Sequence, residues 1–242
     1  MNPPHKPRPD YGIDAPRLGL VILLAVVAGL AFGLGFRESS NETARAAASI
    51  VFSLVPTGIV LILLMASYIK IEKFRHRDRM LNMVPWRGDE QVLDVGTGRG
   101  LLMIGAAKRL TTGMSVGIDV WREQDLSNNS LDAAMRNAQL AGVGDKVELE
   151  NADAREMPFA DGSFDCVLSN LCLHNIPTPG GRAAACREIA RVLIPGGVAL
   201  ISDFRHTDEY AKAFREHGLE TASSVSLLVA PMLLRIVRAS KQ

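Results

Sequence analysis

Asp94-Val95-Gly96-Thr97-Gly98-Arg99-Gly100 follows a short apolar run, Gln91–Val95. Glycines at this spacing let a backbone turn tightly and approach a ligand, whose polar groups then meet free N–H donors at a helix start. The dinucleotide fingerprint G-x-G-x-x-G is not reproduced. Leu101 holds its third glycine position, and Gly100 comes one residue early. The Gly-Lys-Ser/Thr of a P-loop is absent. Alone, such a loop is also compatible with a structural turn. It is not alone. Asp119, nineteen residues past Gly100, ends the next apolar run, and a carboxylate there can accept both hydroxyls of a ribose. The run Lys146–Glu150 leads into Asn151-Ala152-Asp153-Ala154, where a carboxylate can take the amino group of an adenine. A fourth run, FDCVLSN, ends at Asn170 and faces the same crevice.

These residues need a frame that brings run ends together. From Asp89 onward, short apolar runs alternate with amphipathic segments. Strands are expected at Gln91–Val95, Ser115–Val120, Lys146–Glu150, Phe164–Ser169 and Val198–Ser202, with helices at Leu101–Leu110, Asn129–Leu140, Arg182–Leu193 and Glu209–His217. Two further runs, Ala222–Val229 and Met232–Val237, are split by Pro231 with no room for a crossover helix, so they form an antiparallel hairpin. The fold class is α/β: a Rossmann-like, doubly wound, mostly parallel seven-stranded sheet with an antiparallel last strand. Ligands of such sheets sit beyond the carboxyl ends of the strands.

The first third of the chain is different. Leu18–Phe36 and Ala46–Ile69 are nineteen and twenty-four residues without a charge. A bilayer core of about 30 Å needs roughly 20 apolar helical residues, so both segments are long enough to span it. The nine-residue connector Arg37–Arg45 makes them a hairpin. Basic residues distribute as three before it (Lys6, Arg8, Arg17), two in the connector, and five after it (Lys70, Lys73, Arg75, Arg77, Arg79). This places both termini and the following domain in the cytoplasm. The expected divisions are a tail at 1–17, the hairpin at 18–69, a basic amphipathic linker helix at 70–85 and a domain at 86–242. Pro56 is a site for a kink, and Gly29-x-x-x-Gly33 allows close helix contact, including one between copies of the chain. The linker places Ile71, Phe74, Leu81 and Val84 near one face, which suits an interfacial helix against anionic headgroups or a plain solvated linker.

Composition removes other classes. With 27 Lys+Arg against 26 Asp+Glu the net charge is +1, so there is no basic field for nucleic acid. The three cysteines, Cys166, Cys172 and Cys186, contain no C-x-x-C, which argues against a disulfide framework and a cysteine zinc site; no metal is expected.

The motifs, taken in order, resemble class I S-adenosylmethionine-dependent methyltransferases, and most closely the branch with ubiquinone/menaquinone-biosynthesis enzymes. VLDVGTGRG is similar to that family's first motif, VGIDVW to its second-strand acidic motif, NADAREMPFADGSFDCVLSN to its adenine-side and fourth-strand motifs, and REIARVLIPGGVALISDF to its helix–turn–strand signature. The resemblance runs from about Val84 to Lys241; the hairpin lies outside it. It implies S-adenosyl-L-methionine as cofactor. Gly96, Thr97, Gly98 and Gly100 would cradle the amino-acid part, and Asp94 would orient the loop and the ammonium. Asp119 would bind the ribose and Asp153 the adenine. Val120 and Ala154 would pack on the adenine faces, Trp121 adding to them, with Asn170 and Leu171 beside the sulfonium.

Methyl transfer needs alignment of the acceptor more than acid–base help, and a general base only for an acceptor protonated at working pH. His174, after the fourth strand, and Asp203 and His206, after the fifth, are the acceptor-side candidates. Against them stand a loop histidine bonded to backbone and a helix-start network in which Thr207 caps the next helix. Cys172 reads as small packing. A site held at a bilayer favours a small or lipophilic acceptor such as a quinone precursor, a lipid or a small thiol. The competing class is a non-catalytic, cofactor-binding module of a membrane assembly. If the hairpin only concentrates acceptor, removing residues 1–69 leaves cofactor affinity intact.

Overall fold

The computed structural model describes residues 7–13, 16–122, 124, 126–229 and 232–242. Its centre is one seven-stranded sheet in the order β3-β2-β1-β4-β5-β7-β6. The strands are β1 (Gln91–Val95), β2 (Met114–Asp119), β3 (Val147–Asn151), β4 (Phe164–Asn170), β5 (Leu193–Asp203), β6 (Leu219–Val229) and β7 (Met232–Lys241). β1 to β5 are parallel, and β7 runs antiparallel to both neighbours. Residues 230 and 231, and with them the expected split at Pro231, lie outside the described residues.

The strands read so plainly because helices cover both faces. β1 is buried along Val92–Val95 and β4 along Cys166–Ser169, which demands the continuous apolar runs of a parallel sheet. Local chemistry sets several helix starts. Ser130 Oγ accepts from Ala133 N ahead of α5 (Leu131–Leu140), and Thr178 Oγ1 accepts from Gly181 N ahead of α6, Pro179–Val192, which carries its proline at the start. Thr207 does not cap. It is the buried first residue of α7 (Thr207–Glu216), and His206 precedes it as a left-handed cap at φ 63° with no side-chain bond to the helix. The Pro-Gly-Gly stretch before the expected fifth strand is absorbed into β5, whose pairing with β4 slips between Phe164 and Cys166.

Among the described residues one helix is long and apolar enough to cross a bilayer, a continuous forty-residue stretch, Glu42–Leu81. It comprises α2 (Glu42–Ser67), a π turn at Tyr68–Glu72 and α3 (Lys73–Leu81). The described apolar part of α1 (Pro16–Gly35) is shorter, Gly19–Gly35. The expectation of two spans is therefore met for one helix. Pro56 lies inside α2 without ending it, and the irregularity falls at the π turn instead. Asn41, first residue of a nominal glycosylation sequon, caps α2 through Thr43 N and Ala44 N. The small residues of α1 are used within the chain. A Cβ on Gly33 would fall 2.7 Å from the Phe52 ring, and one on Gly58 2.3 Å from Val26. That face is therefore occupied by α2 and is not open for a second copy.

α3 departs furthest from expectation. Met80 and Leu81 are fully buried, and with Val84 they cover the β1, β4 and β5 face through Val92, Leu168 and Leu200. Three of its basic residues are engaged too: Lys73 is buried, Arg75 pairs with Glu72, and Arg77 pairs with Asp78 and lies over the Phe74 ring. The helix is a wall of the domain, not a raft on headgroups. Leu81 and Val84 of the expected apolar stripe pack on the sheet, whereas Phe74 meets Tyr11 and Ile71 is exposed; the helix ends at Leu81, short of the expected stop at Pro85.

Candidate active site

A cleft opens at the carboxyl ends of β1, β2 and β4, where this topology places ligands. It brings together Asp94, Gly96, Thr97, Gly98, Asp119, Val120, Asp153, Ala154 and Asn170 from the expected set. Gly100 stands behind the lining as the left-handed cap of α4 (Leu101–Ala107), with φ 86°. Trp121 and the acceptor-side trio are not part of the wall.

Asp94 is the most constrained group. It is 1% exposed, and its Oδ2 accepts from Thr97 Oγ1 and Met103 N, both at 2.9 Å. Burial pushes its pKa up to about 7, against the pull of those two hydrogen bonds, and the Asp119 charge adds to the rise. A cation arriving beside it would recover the burial cost of the ionised form.

The glycine loop differs from expectation in one telling respect. The N–H groups of Gly96, Thr97 and Gly98 do not face a ligand. Gly96 N and Thr97 N both donate to Ile118 O, at 2.8 and 3.0 Å, and Gly98 N donates to Asp119 Oδ2 at 2.8 Å. Such a loop is no phosphate cradle, which requires N–H groups aimed outward. The tight turn also serves packing, because a Cβ on Gly96, at φ 74°, would fall 2.2 Å from Cys172 Sγ. Asp119 is thus two things at once. It anchors the loop through Gly98 and Trp121 N (2.7 Å), and its half-exposed carboxylate still borders the cleft. Asp153 reaches the cleft bound by Arg155 through Nε and Nη2, which holds its carboxyl below the usual range. Asn170 closes the wall with its Oδ1 buried and not hydrogen-bonded.

His174, Asp203 and His206 sit elsewhere. Asp203 is fully buried and accepts from His174 N, Phe204 N and Tyr210 Oη, and His174 Nδ1 lies 2.8 Å from its Oδ1 without hydrogen-bond alignment. The His174 ring packs edge-on against Phe204. His206 Nδ1 meets Glu209, which Arg182 also holds. These contacts surround the start of α7, and the three side chains do not converge on one point.

The wall also contains residues that the motifs do not indicate: Tyr11, Tyr68 and Lys73. The π turn explains two of them. Lys73 N donates to Tyr68 O, an i→i+5 bond, so the two residues stack on one face of the helix. Tyr11 belongs to a strap. Asn137 accepts from Asp10 N and donates to Asp10 O and Arg99 O, Asp10 pairs with Arg99, and Lys73 Nζ donates to Gly12 O. Tyr11 meets Phe74 edge-on. No spacing in the sequence signals these contacts, because they join the tail to residues sixty or more positions away. They also put two residues of the 1–69 segment in the cleft wall, which bears on the expectation that this segment is dispensable for binding.

Residues 92–197 match the family model described as a methyltransferase domain. The chain is 36% identical over 162 residues to the 27-O-demethylrifamycin SV methyltransferase of Amycolatopsis mediterranei, covering 63% of this chain and 55% of that protein. It is 30% identical over 118 residues to the ubiquinone/menaquinone biosynthesis C-methyltransferase UbiE of Vibrio cholerae, covering 49% and 42%. The chain thus spans about half the length of the curated relatives it matches. The geranyl diphosphate C-methyltransferase of Streptomyces coelicolor, solved with geranyl diphosphate and S-adenosyl-L-homocysteine, superposes with TM-score 0.58 at 16% identity over 74% of this chain and 82% of that one. Residues 92–197 of this chain are therefore similar to a methyltransferase domain, and the sheet that holds them has the same fold as that solved methyltransferase.

Proposed function

We propose that the chain is an S-adenosyl-L-methionine-dependent methyltransferase of a small or lipophilic acceptor, held at a membrane by its N-terminal helices. The observation that carries this reading is the cleft chemistry: a buried, protonation-poised Asp94 under a glycine loop whose N–H groups are already bonded. Such a site suits the ammonium of an amino-acid ligand and disfavours a pyrophosphate. Bound S-adenosylmethionine supplies an activated methyl on its sulfonium. Asp94 takes the ammonium, Gly96, Thr97 and Gly98 shape the floor, Asp119 takes ribose hydroxyls, and Asp153 lies on the adenine side between Val120 and Ala154. Asn170 faces the reacting end. No base in the wall is required for an acceptor that reacts as an anion. A thiol, with an ordinary pKa of about 8.5, needs little help, and a phenol near 10 needs more.

Asp119→Ala is expected to weaken S-adenosylmethionine binding by about 1.5–3 kcal/mol, the scale of hydrogen bonds to a charged group, with the upper end favoured because the Gly98 anchor goes too. Calorimetry on the full chain in detergent measures it. Unchanged affinity, or tighter binding of NAD, rules out the assignment.

Anchoring rests on the helices' outer faces. Leu20, Val21, Leu24 and Leu34 of α1 and Ile50, Leu54 and Leu63 of α2 are each more than half exposed, more large apolar side chains than a water-facing surface ordinarily presents. With the distribution of basic residues, this supports a two-span hairpin at 18–69, a domain from about 70 onward, and cytoplasmic termini. A cysteine at Ser40 is expected to react with an impermeant thiol reagent outside intact cells, and one at Gln242 is not. The opposite pattern removes the domain from the cytosolic cofactor pool.

A further inference from the structure

α3 turns a polar first turn toward the interior. Lys73 and His76 are 4% and 2% exposed, whereas Met80 and Leu81 further along are in the apolar core. Buried lysine and histidine are uncommon where an apolar residue would pack. Lys73 reaches the strap. His76 reaches the sheet: its Nε2 lies 2.7 Å from Ser202 Oγ, and the Asn170 carboxamide adjoins the ring. Asn170 and Ser202 are register partners at the carboxyl ends of β4 and β5. The same Ser202 accepts, through its carbonyl, the N–H of Leu171, a non-glycine residue held at φ 53°. The end of β4 is therefore pinned from one point, at the place where its last side chain lines the cleft. Burial, with the Arg79 charge, lowers the His76 pKa to about 4, so the ring is neutral at ordinary pH and offers one donor and one acceptor.

We propose that His76 is a positioning residue: with Ser202 it fixes the Asn170 carboxamide, whose oxygen is buried beside the cleft without a hydrogen-bond partner, so that the site prefers a cationic sulfonium donor to its neutral demethylated product. This rests on the S-adenosylmethionine reading above. A carbonyl oxygen near a sulfonium gains from the charge, and the neutral thioether offers no such gain. His76 gives and takes no proton in the reaction. Because α3 continues from the apolar helix α2, donor discrimination is tied to the seating of that helix.

The test compares S-adenosylmethionine and S-adenosylhomocysteine by calorimetry on the full chain in detergent micelles. His76→Ala and Ser202→Ala are expected to weaken the methyl donor about tenfold, as for loss of an interaction with a charged group, and to change the product's affinity by less than about threefold. His76→Gln, whose amide nitrogen reaches the place of Nε2, restores most of the preference. If His76→Ala fails to fold, Ser202→Ala decides, since it removes only a hydroxyl. A donor-to-product ratio within about twofold of wild type, or equal weakening of both ligands, overturns the proposal. A wild-type chain that binds neither ligand overturns the cofactor reading beneath it.

Discussion

Asp94→Asn is expected to abolish most S-adenosylmethionine binding, by roughly 100-fold, while making the protein relatively more stable as pH rises. The loss follows from removing a buried anion that meets the ligand's ammonium, about 3 kcal/mol at the upper end for a charged hydrogen bond. The stability effect has the opposite sign. Asp94 has a pKa raised from the ordinary 3.8 to about 7 in the folded protein. A raised pKa means the folded state holds its proton longer than the unfolded one. The wild type is therefore favoured below about pH 4, and that contribution drains away as pH climbs to 7. The shift of about three pKa units corresponds to about 4 kcal/mol between those limits. Asparagine does not titrate, so the stability difference, variant minus wild type, should grow by that order between pH 4 and 8. Chemical denaturation at both pH values measures it. A pH-independent difference means Asp94 is not the buried acid described here. The same titration makes wild-type affinity for the cofactor fall below pH 7, because the protonated acid no longer attracts an ammonium.

Removing residues 1–69 is expected to weaken cofactor binding by tenfold or more, the scale of one or two lost contacts of about 1 kcal/mol each. The deletion takes away Tyr11 and Tyr68 from the cleft and leaves Lys73 without the Gly12 carbonyl. Asn137 and Arg99 lose Asp10 at the same time. Calorimetry on the truncated and full chains compares them directly. Equal affinity would show that the strap and the π turn only border the ligand. A graded version is Asn137→Ala, which loosens the strap and leaves the helices in place.

Much of this was legible beforehand. The parallel strands declared themselves because both faces are buried, and the loop, Asp119, Asp153 and Asn170 follow from which residues end those strands. Register alone put them at one edge. What periodicity did not reveal depends on partners distant in sequence. The stripe of α3 is equally suited to a bilayer or a sheet, and only Val92, Leu168 and Leu200 decide between them. The Gly29/Gly33 face signals close approach without naming its partner, which proves to be α2 of the same chain. A π turn has no composition signature, so the pairing of Tyr68 with Lys73 was hidden, as was a strap made by Asn137 reaching back to Asp10. His174, Asp203 and His206 have the residue types for acid–base chemistry, but their contacts are with Tyr210, Phe204 and Glu209, and they are not among the residues that line the cleft.

The central claim is catalysis of methyl transfer at this cleft, and one measurement tests it most directly. The 242-residue chain, in membranes or detergent extract of the cells that express it, is incubated with methyl-labelled S-adenosylmethionine, a membrane extract, and a panel of small thiols and phenols. Label is expected in a lipid-soluble or small-molecule product with the wild type and to be lost with Asp94→Asn. Tight binding of the donor with no transfer to any fraction would contradict the claim and leave a cofactor-binding module of a membrane assembly in its place.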